Sequence, residues 1–319
     1  MKKDLTDLLQ APSQTFLGVP AATAPSAGAV AIFGASHGTS YPGSTTYYGG
    51  ETGPAAVRRA ITAASVHLDH WDFDFGGPLL DNGALAVVDL GDVVTDAGTA
   101  AANRDAIESV TRAVLEGGGI PLLIGGDDSV AIPFMRGLET AGSLHILQID
   151  AHIDWRDRIG EEPLGYSSTM RRASELPFLR SMTQVGIRAV GSARGQEVEA
   201  AKAWGSRLVT VSEARRLGMK AVIDTLPRDG ALLIHIDCDA MDPGTCPGVN
   251  AISPGGFLLH EMTELIALAI QGRRLAGFSI VEFQPRADIN DISATVVGRL
   301  ICHVLGHLAR SHRLPVSAA

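Results

Sequence analysis

The segment Leu144-His145-Ile146-Leu147-Gln148-Ile149-Asp150-Ala151-His152-Ile153-Asp154 decides how this chain is read. The mostly apolar run from Leu144 to Ile149 has the length of one buried strand, and two aspartates and a histidine follow it at alternate positions. A second segment repeats the plan: Ala231 to Ile236 runs into Asp237-Cys238-Asp239-Ala240-Met241-Asp242-Pro243. Alternate residues of a strand share a face. Asp150, His152 and Asp154 are therefore expected to point together, and so are Asp237 and Asp239. Burying several carboxylates at the end of an apolar strand is costly unless a cation neutralises them. The pattern predicts a metal site.

Outward from these segments, short apolar strands alternate with helical patterns from Ala29 onward, which signals a parallel sheet covered by helices. Strands are expected at 30–34, 85–90, 120–124, 144–150, 183–189, 207–211, 231–237 and 277–283. Gly53-Pro54 opens a helix that runs through Arg59, with proline in its first turn. Thr95 or Asp96 is expected to cap another, ended by Gly117-Gly118-Gly119. Ser212 is expected to cap a short helix stopped by Gly218, and 288–313 reads as a long C-terminal helix. Residues 1–28, with an Ala/Pro/Ser-rich piece from Pro20 to Gly28, read as an N-terminal arm or a loosely packed leader. No linker, repeat or low-complexity block interrupts 29–319, so one α/β domain is expected there.

Composition narrows the function. A chain of 319 residues with 45% hydrophobic content can bury a large core. A net charge of −9 argues against nucleic acid or an anionic membrane as partner and is compatible with a small cationic substrate. The three cysteines, Cys238, Cys246 and Cys302, form no CxxC pair and suggest neither a disulfide framework nor a zinc knuckle. Cys238 should face the core, opposite its acidic neighbours. Met1 to Gly18 has no basic start followed by a long apolar stretch, and no apolar run reaches membrane-spanning length. A soluble, cytoplasmic protein is expected.

Ligands of open parallel sheets bind beyond the carboxyl ends of the strands. Three strands here finish in acidic loops: Gly125-Gly126-Asp127-Asp128-Ser129, Asp150 to Asp154, and Asp237 to Asp242. A fourth ends in Val281-Glu282-Phe283-Gln284-Pro285. One D-x-D motif is weak evidence, because surface turns often carry it. Two of them on separate strand ends, one with a histidine, plus the Gly-Gly-Asp-Asp turn, point to two metals. So oxygen-rich a set suits Mn²⁺, with Fe²⁺, Ni²⁺ or Zn²⁺ also compatible. Two metals bridged by carboxylates would hold a hydroxide nucleophile, so hydrolysis is expected.

In this order the motifs resemble the arginase/agmatinase (ureohydrolase) family. The resemblance runs through Ala31-Ile32-Phe33-Gly34, Gly53-Pro54 with Arg58, and Val88-Asp89-Leu90-Gly91-Asp92. It continues through Gly125-Gly126-Asp127, Asp150 to Asp154, Gly186-Ile187-Arg188 and Asp237 to Pro243, then Pro247-Gly248, Pro254-Gly255-Gly256, Glu282 and Pro285. It implies a three-layer α/β/α fold around a parallel eight-stranded sheet. It also implies a binuclear manganese centre held by Asp150, His152, Asp154, Asp237 and Asp239. Glu282 would grip the guanidinium of the substrate, since a carboxylate accepts paired N–H donors. The implied reaction is hydrolysis of agmatine, guanidinobutyrate or another substituted guanidine to urea and an amine, with the agmatinase branch favoured. A homotrimer or homohexamer is implied as the assembly.

Two departures stand out. The family turn is usually Gly-Gly-Asp-His-Ser, with the histidine a metal ligand; here Asp128 occupies that place. With Asp128 as ligand, five carboxylates face two dications, a formal charge of about −1 before any hydroxide, which should make the centre less Lewis-acidic. Otherwise that metal position is weak or vacant. Second, the usual His-Gly-Thr proton shuttle is replaced by Tyr166-Ser167-Ser168-Thr169, which makes Ser167 and Ser168 candidates for substrate contact. His37, in Ser36-His37-Gly38-Thr39, is the candidate substitute shuttle, beside Asp154 and Glu282 as catalytic groups; its bland reading is a loop histidine. His235 shares the ligand face by parity and reads as a support behind the ligands. Asp242 reads as a loop anchor. The rival readings are a non-catalytic homologue or partner subunit with a dead site, and a metal-dependent amidohydrolase such as a deacetylase.

Overall fold

Alternation of buried side chains along each strand explains why the sheet needs cover on both faces. In the computed structural model, which describes residues 5–39, 41, 52–65 and 67–311, Val30 and Ile32 pack into one core while Ala31 and Phe33 pack into another. Leu232, Ile234 and Ile236 likewise face the first core, and Ala231 and Leu233 the second. Helices Gly53–Ala64, Leu259–Ile270 and Ile292–Ser311 cover the first face. Ala100–Glu116, Ala131–Gly137 and Gly195–Trp204 cover the second. The result is three layers, α/β/α.

In chain order the strands are β1 (Leu9–Gln10), β2 (Val30–Ala35), β3 (Trp71–Asp72), β4 (Gly77–Pro78), β5 (Val87–Val93) and β6 (Ile120–Gly125). They continue with β7 (Leu144–Ile149), β8 (Leu179–Ile187), β9 (Arg207–Thr210), β10 (Ala231–Asp237) and β11 (Arg274–Val281). β3 and β4 pair only with each other; the main sheet has the order β1-β5-β2-β6-β11-β10-β7-β8-β9. The eight expected strands all form and all run parallel, with shifted ends. A ninth, β1, adds antiparallel to β5.

Local differences have local causes. The second expected helix begins only at Ala100, because Asn103 reaches back to bond the backbone N–H and carbonyl of Asp96 and holds that residue in the loop. The helix Val211–Leu217 is capped by Thr210, whose hydroxyl accepts from Glu213 N, and not by Ser212. The C-terminal helix starts at Ile292; Asp288 lies before it and accepts from Ser293 N and Ala294 N. Residues 312 and 313, expected in that helix, lie outside the described ones. By length and composition Ile292–Ser311 is apolar enough to cross a membrane, contrary to the sequence reading, but 72% of its most apolar window is buried inside the protein.

Within the described part of the N-terminal segment, Leu8, Phe16, Leu17 and Val19 are buried. Phe16 is fully buried, and its N–H donates to Asp89 Oδ2 at 2.9 Å. Asp89 also takes a two-pronged bond from Arg58, through Nε at 2.8 Å and Nη2 at 2.9 Å, and Asp92 accepts from Nη1 at 2.5 Å. Arg58 thus ties the helix Gly53–Ala64 to β5 and, through Asp89, to the arm. Removing one member of a buried pair leaves the other charge uncompensated. Arg58→Ala should lower unfolding free energy by about 3–5 kcal/mol, read by chemical denaturation; a change below about 1 kcal/mol would reject the tie.

Candidate metal centre

β6, β11, β10 and β7 are neighbours in the sheet, so their carboxyl-terminal loops open on one cleft. The acidic residues converge there by turns and not by strand alternation. β7 stops at Ile149, and four further residues of strand would have separated Asp150 from Asp154 by about 13 Å. Instead His152 N donates to Asp150 Oδ1 at 2.6 Å, folding the chain back, and Asp154 adopts a φ of 44°. Gln148 Nε2 then bridges Asp150 Oδ2 at 2.7 Å and Asp154 Oδ2 at 2.8 Å. β10 behaves alike: Asp237 accepts from Asp239 N at 2.8 Å in a short 3₁₀ turn, while Cys238 is buried in the core. Gly126 permits the third turn, since a Cβ there would sit 2.1 Å from Ser36 O.

Among the described residues, one group of acidic and imidazole side chains lies close enough to share an ion. His152 Nδ1 lies 3.1 Å from Asp239 Oδ2 and 3.5 Å from Asp150 Oδ1, and one donor atom of each of these three residues lies within 4.8 Å of the others. Asp150 and Asp128 both act electrostatically on Asp154 and Asp237. Burial, then the charges of Asp150 and Asp128, hold the Asp154 carboxyl well above its usual range. Burial, then Asp239, Asp150 and Asp128, do the same to Asp237. Burial disfavours the His152 imidazolium, but hydrogen bonds and charge from Asp150 and Asp239 outweigh it and raise it to about 11. Burial and mutual repulsion oppose the ionisation of Asp154 and Asp237, and cations placed among them would relieve that cost. Both carboxylate oxygens of Asp128 are buried with no hydrogen-bond partner, as ligand atoms would be. A donor set of carboxylate oxygens and imidazole fits hard divalent ions.

Glu282 follows β11 at a φ of 64°, and its Oε1 accepts from Asp128 N at 2.8 Å. Burial raises its carboxyl to about 7 against that bond. Non-glycine residues held at positive φ, here Asp154 and Glu282, carry backbone strain of the kind that clusters at functional sites. Glu282 lines a cavity of about 230 Å³ together with Asp128, His152, Asp154, Asp237 and Asp239. Its remaining wall is Tyr166, Ser167, Ser192, Asn250 and Ala251.

Several candidates stand apart. Asp150 is buried and groups with His152 and Asp239 without lining the cavity. Ser167 lines the wall, whereas Ser168 is fully buried and does not. His37 sits with Nδ1 3.2 Å from Thr95 Oγ1, outside the lining; burial lowers its pKa against the pull of Asp96. Asp242 anchors its loop by accepting from Gly244 N and Gly255 N. Arg188 braces the same region, donating to the carbonyls of Asp239, Ala240 and Ser253. Sequence reasoning passed over Gln148, Ser192, Asn250 and Ala251. Gln148 had a signal, a polar side chain two places before Asp150 in an apolar strand; the others lie in loops with no acidic motif.

Asp154, Asp237 and His152 bind more protons folded than unfolded, so their contribution to the stability of chelated protein is lost as pH rises from the ordinary carboxylate range toward about 11, where His152 gives up its proton. Divalent ions remove that penalty. The melting-temperature gain from Mn²⁺ over EDTA should therefore grow with pH across this window, and a gain that shrinks or stays flat would contradict the assignment.

The model of the family described as the Arginase family matches residues 28–306. Guanidinopropionase of Pseudomonas aeruginosa is 29% identical over 93% of this chain and 93% of that protein. Agmatinase of Bacillus anthracis is 28% identical over 81% of this chain and 85% of that protein. Among solved structures, proclavaminate amidino hydrolase of Streptomyces clavuligerus superposes with a TM-score of 0.78 at 24% identity, covering 94% of this chain and 98% of that one.

Proposed function

The chain belongs to the arginase family, and on that premise we propose that it hydrolyses a small guanidino compound to urea and an amine. The observation that carries this reading is Glu282, a buried carboxylate on the wall of the cavity that holds the acidic cluster. A planar guanidinium presents paired N–H donors that a carboxylate accepts side by side. Its positive charge favours the ionised form of Glu282, which burial alone disfavours. When bound at Asp128, Asp150, His152, Asp154, Asp237 and Asp239, two divalent ions, Mn²⁺ foremost and Ni²⁺ or Fe²⁺ next, supply a hydroxide nucleophile at neutral pH. Asp154, on the lining with a raised pKa, is the group we assign to carry the proton toward the departing amine. His37 stands off the lining and is not given that role.

The wall also bears on the substrate's tail. Among the described lining residues there is no Arg or Lys, and apart from His152 the non-acidic part is neutral. A carboxylate tail would meet no Arg or Lys along that neutral stretch and several acidic side chains nearby. Agmatine or an alkylguanidine with a short uncharged tail fits better than guanidinobutyrate. Assembly as a homotrimer or homohexamer belongs to the same proposal.

Urea release from Mn²⁺-, Ni²⁺- and Fe²⁺-loaded protein tests this. Agmatine or an alkylguanidine should exceed guanidinobutyrate by about tenfold or more in kcat/KM, the equivalent of about 1.4 kcal/mol. No urea with any ion, or amine released without urea, would overturn the reaction assigned.

Glu282→Gln should cost about 10- to 100-fold in kcat/KM, the range for losing a charged hydrogen bond. Only the ionised carboxylate binds the guanidinium, so kcat/KM should rise with pH through about 7. That limb should flatten in Glu282→Gln; an unchanged profile and rate would remove Glu282 from substrate binding.

A further inference from the structure

We propose that His235 is a metal ligand, supplying from β10 the imidazole that the turn Gly125-Gly126-Asp127-Asp128-Ser129 lacks, and that it shares one cation with Asp128. The inference rests on the metal-centre reading and goes beyond it by assigning a ligand outside the acidic loops.

His235 is a polar ring within an otherwise apolar, fully buried strand, two residues before Asp237, and it is 0% exposed. Its Nδ1 lies 2.8 Å from Ser279 Oγ on β11, directly across the register pair His235↔Ser279. Ser279 is itself fully buried, so the bond fixes the ring. With the Nδ1 proton donated to that hydroxyl, the lone pair of Nε2 is left free. A metal-bound histidine characteristically engages its second nitrogen in this way.

Nε2 points at the candidate centre, 2.9 Å from Asp128 Oδ1. At that separation a hydrogen bond would be expected, yet Nε2 and both Asp128 oxygens are buried with no hydrogen-bond partner. Three orphaned buried polar atoms at one place are costly unless a third body satisfies them. Two ligands at right angles, each about 2.1 Å from one ion, lie about 3 Å apart, so the observed separation suits neighbours on a shared cation. His152 belongs with Asp150 and Asp239, and the Asp128 carboxylate has His235 as its imidazole neighbour. With His235 included, Asp128 has an imidazole beside it as the His152 group does. The aspartate in the turn and the histidine in the strand are then one exchange of donor positions.

The competing account is that His235 only orients Asp128 through a hydrogen bond. Pulsed EPR on the Mn²⁺-loaded full chain counts coordinated imidazole nitrogens, and calorimetry with elemental analysis gives affinity and stoichiometry. Wild type should bind two ions and show two imidazole couplings. His235→Ala should lose one coupling and bind one of the two ions at least about 10- to 100-fold more weakly. His235→Gln, which can still donate a hydrogen bond, should not restore either quantity. Full restoration by Gln, or an unchanged nitrogen count in His235→Ala, overturns the inference. If His235→Ala does not fold, His152→Ala decides: one remaining coupling supports His235 as ligand, and none refutes it. Wild type that binds no Mn²⁺, Ni²⁺ or Fe²⁺ would instead sink the metal-centre reading. Two bound ions with a single imidazole coupling would sink only this inference.

Discussion

Mutual repulsion among buried carboxylates is the constraint on which the rest of this molecule turns. Asp128, Asp150, Asp154, Asp237 and Asp239 are each at most 8% exposed and come from three separate strand ends. Nothing in an apolar sheet favours such a gathering on its own account. It is tolerable because backbone N–H groups, Gln148 and His152 take part of the load, and because cations can take the remainder. The surrounding architecture serves this gathering. Four parallel strands stand side by side, each loop turns back at once, and Arg188 pins the carbonyls behind Asp239.

The contrast with Arg58 is instructive. There the chain supplies its own cation, and two aspartates of β5 are neutralised within the protein. At the strand ends the chain supplies one imidazole, His152, beside Asp150 and Asp239, and leaves the Asp128 carboxylate without a hydrogen bond. The first arrangement holds a fold together. The second keeps a charge deficit available for ions and for a guanidinium.

Much of this was legible in the sequence because it depends on local pattern. Apolar runs of strand length located all eight parallel strands, and the acidic residues after them located the cleft. The mechanism of convergence was not legible. Strand parity suggested why Asp150 and Asp154 should meet, whereas an Asx turn at Asp150 and a left-handed residue at Asp154 bring them together. Helix caps were missed for a related reason: Asn103 and Thr210 act through particular hydrogen bonds that composition does not reveal. The neutral wall built from Ser192, Asn250 and Ala251 comes from loops whose path only tertiary packing sets. The packing of the arm depended on one aromatic, Phe16, and its distant partner Asp89.

That arm has a second effect, at the margin of the sheet. β1 contributes only two residues, Leu9 and Gln10, yet they pair antiparallel with Asp92 and Val93 of β5. Ala22 N donates to Asp89 O, and Asp89 N donates to Pro20 O, so the backbone of β5 is covered at several points. An open strand flank offers unsatisfied main-chain groups to any passing extended chain. By occupying this flank the arm leaves fewer main-chain groups of β5 open to pairing with another extended chain.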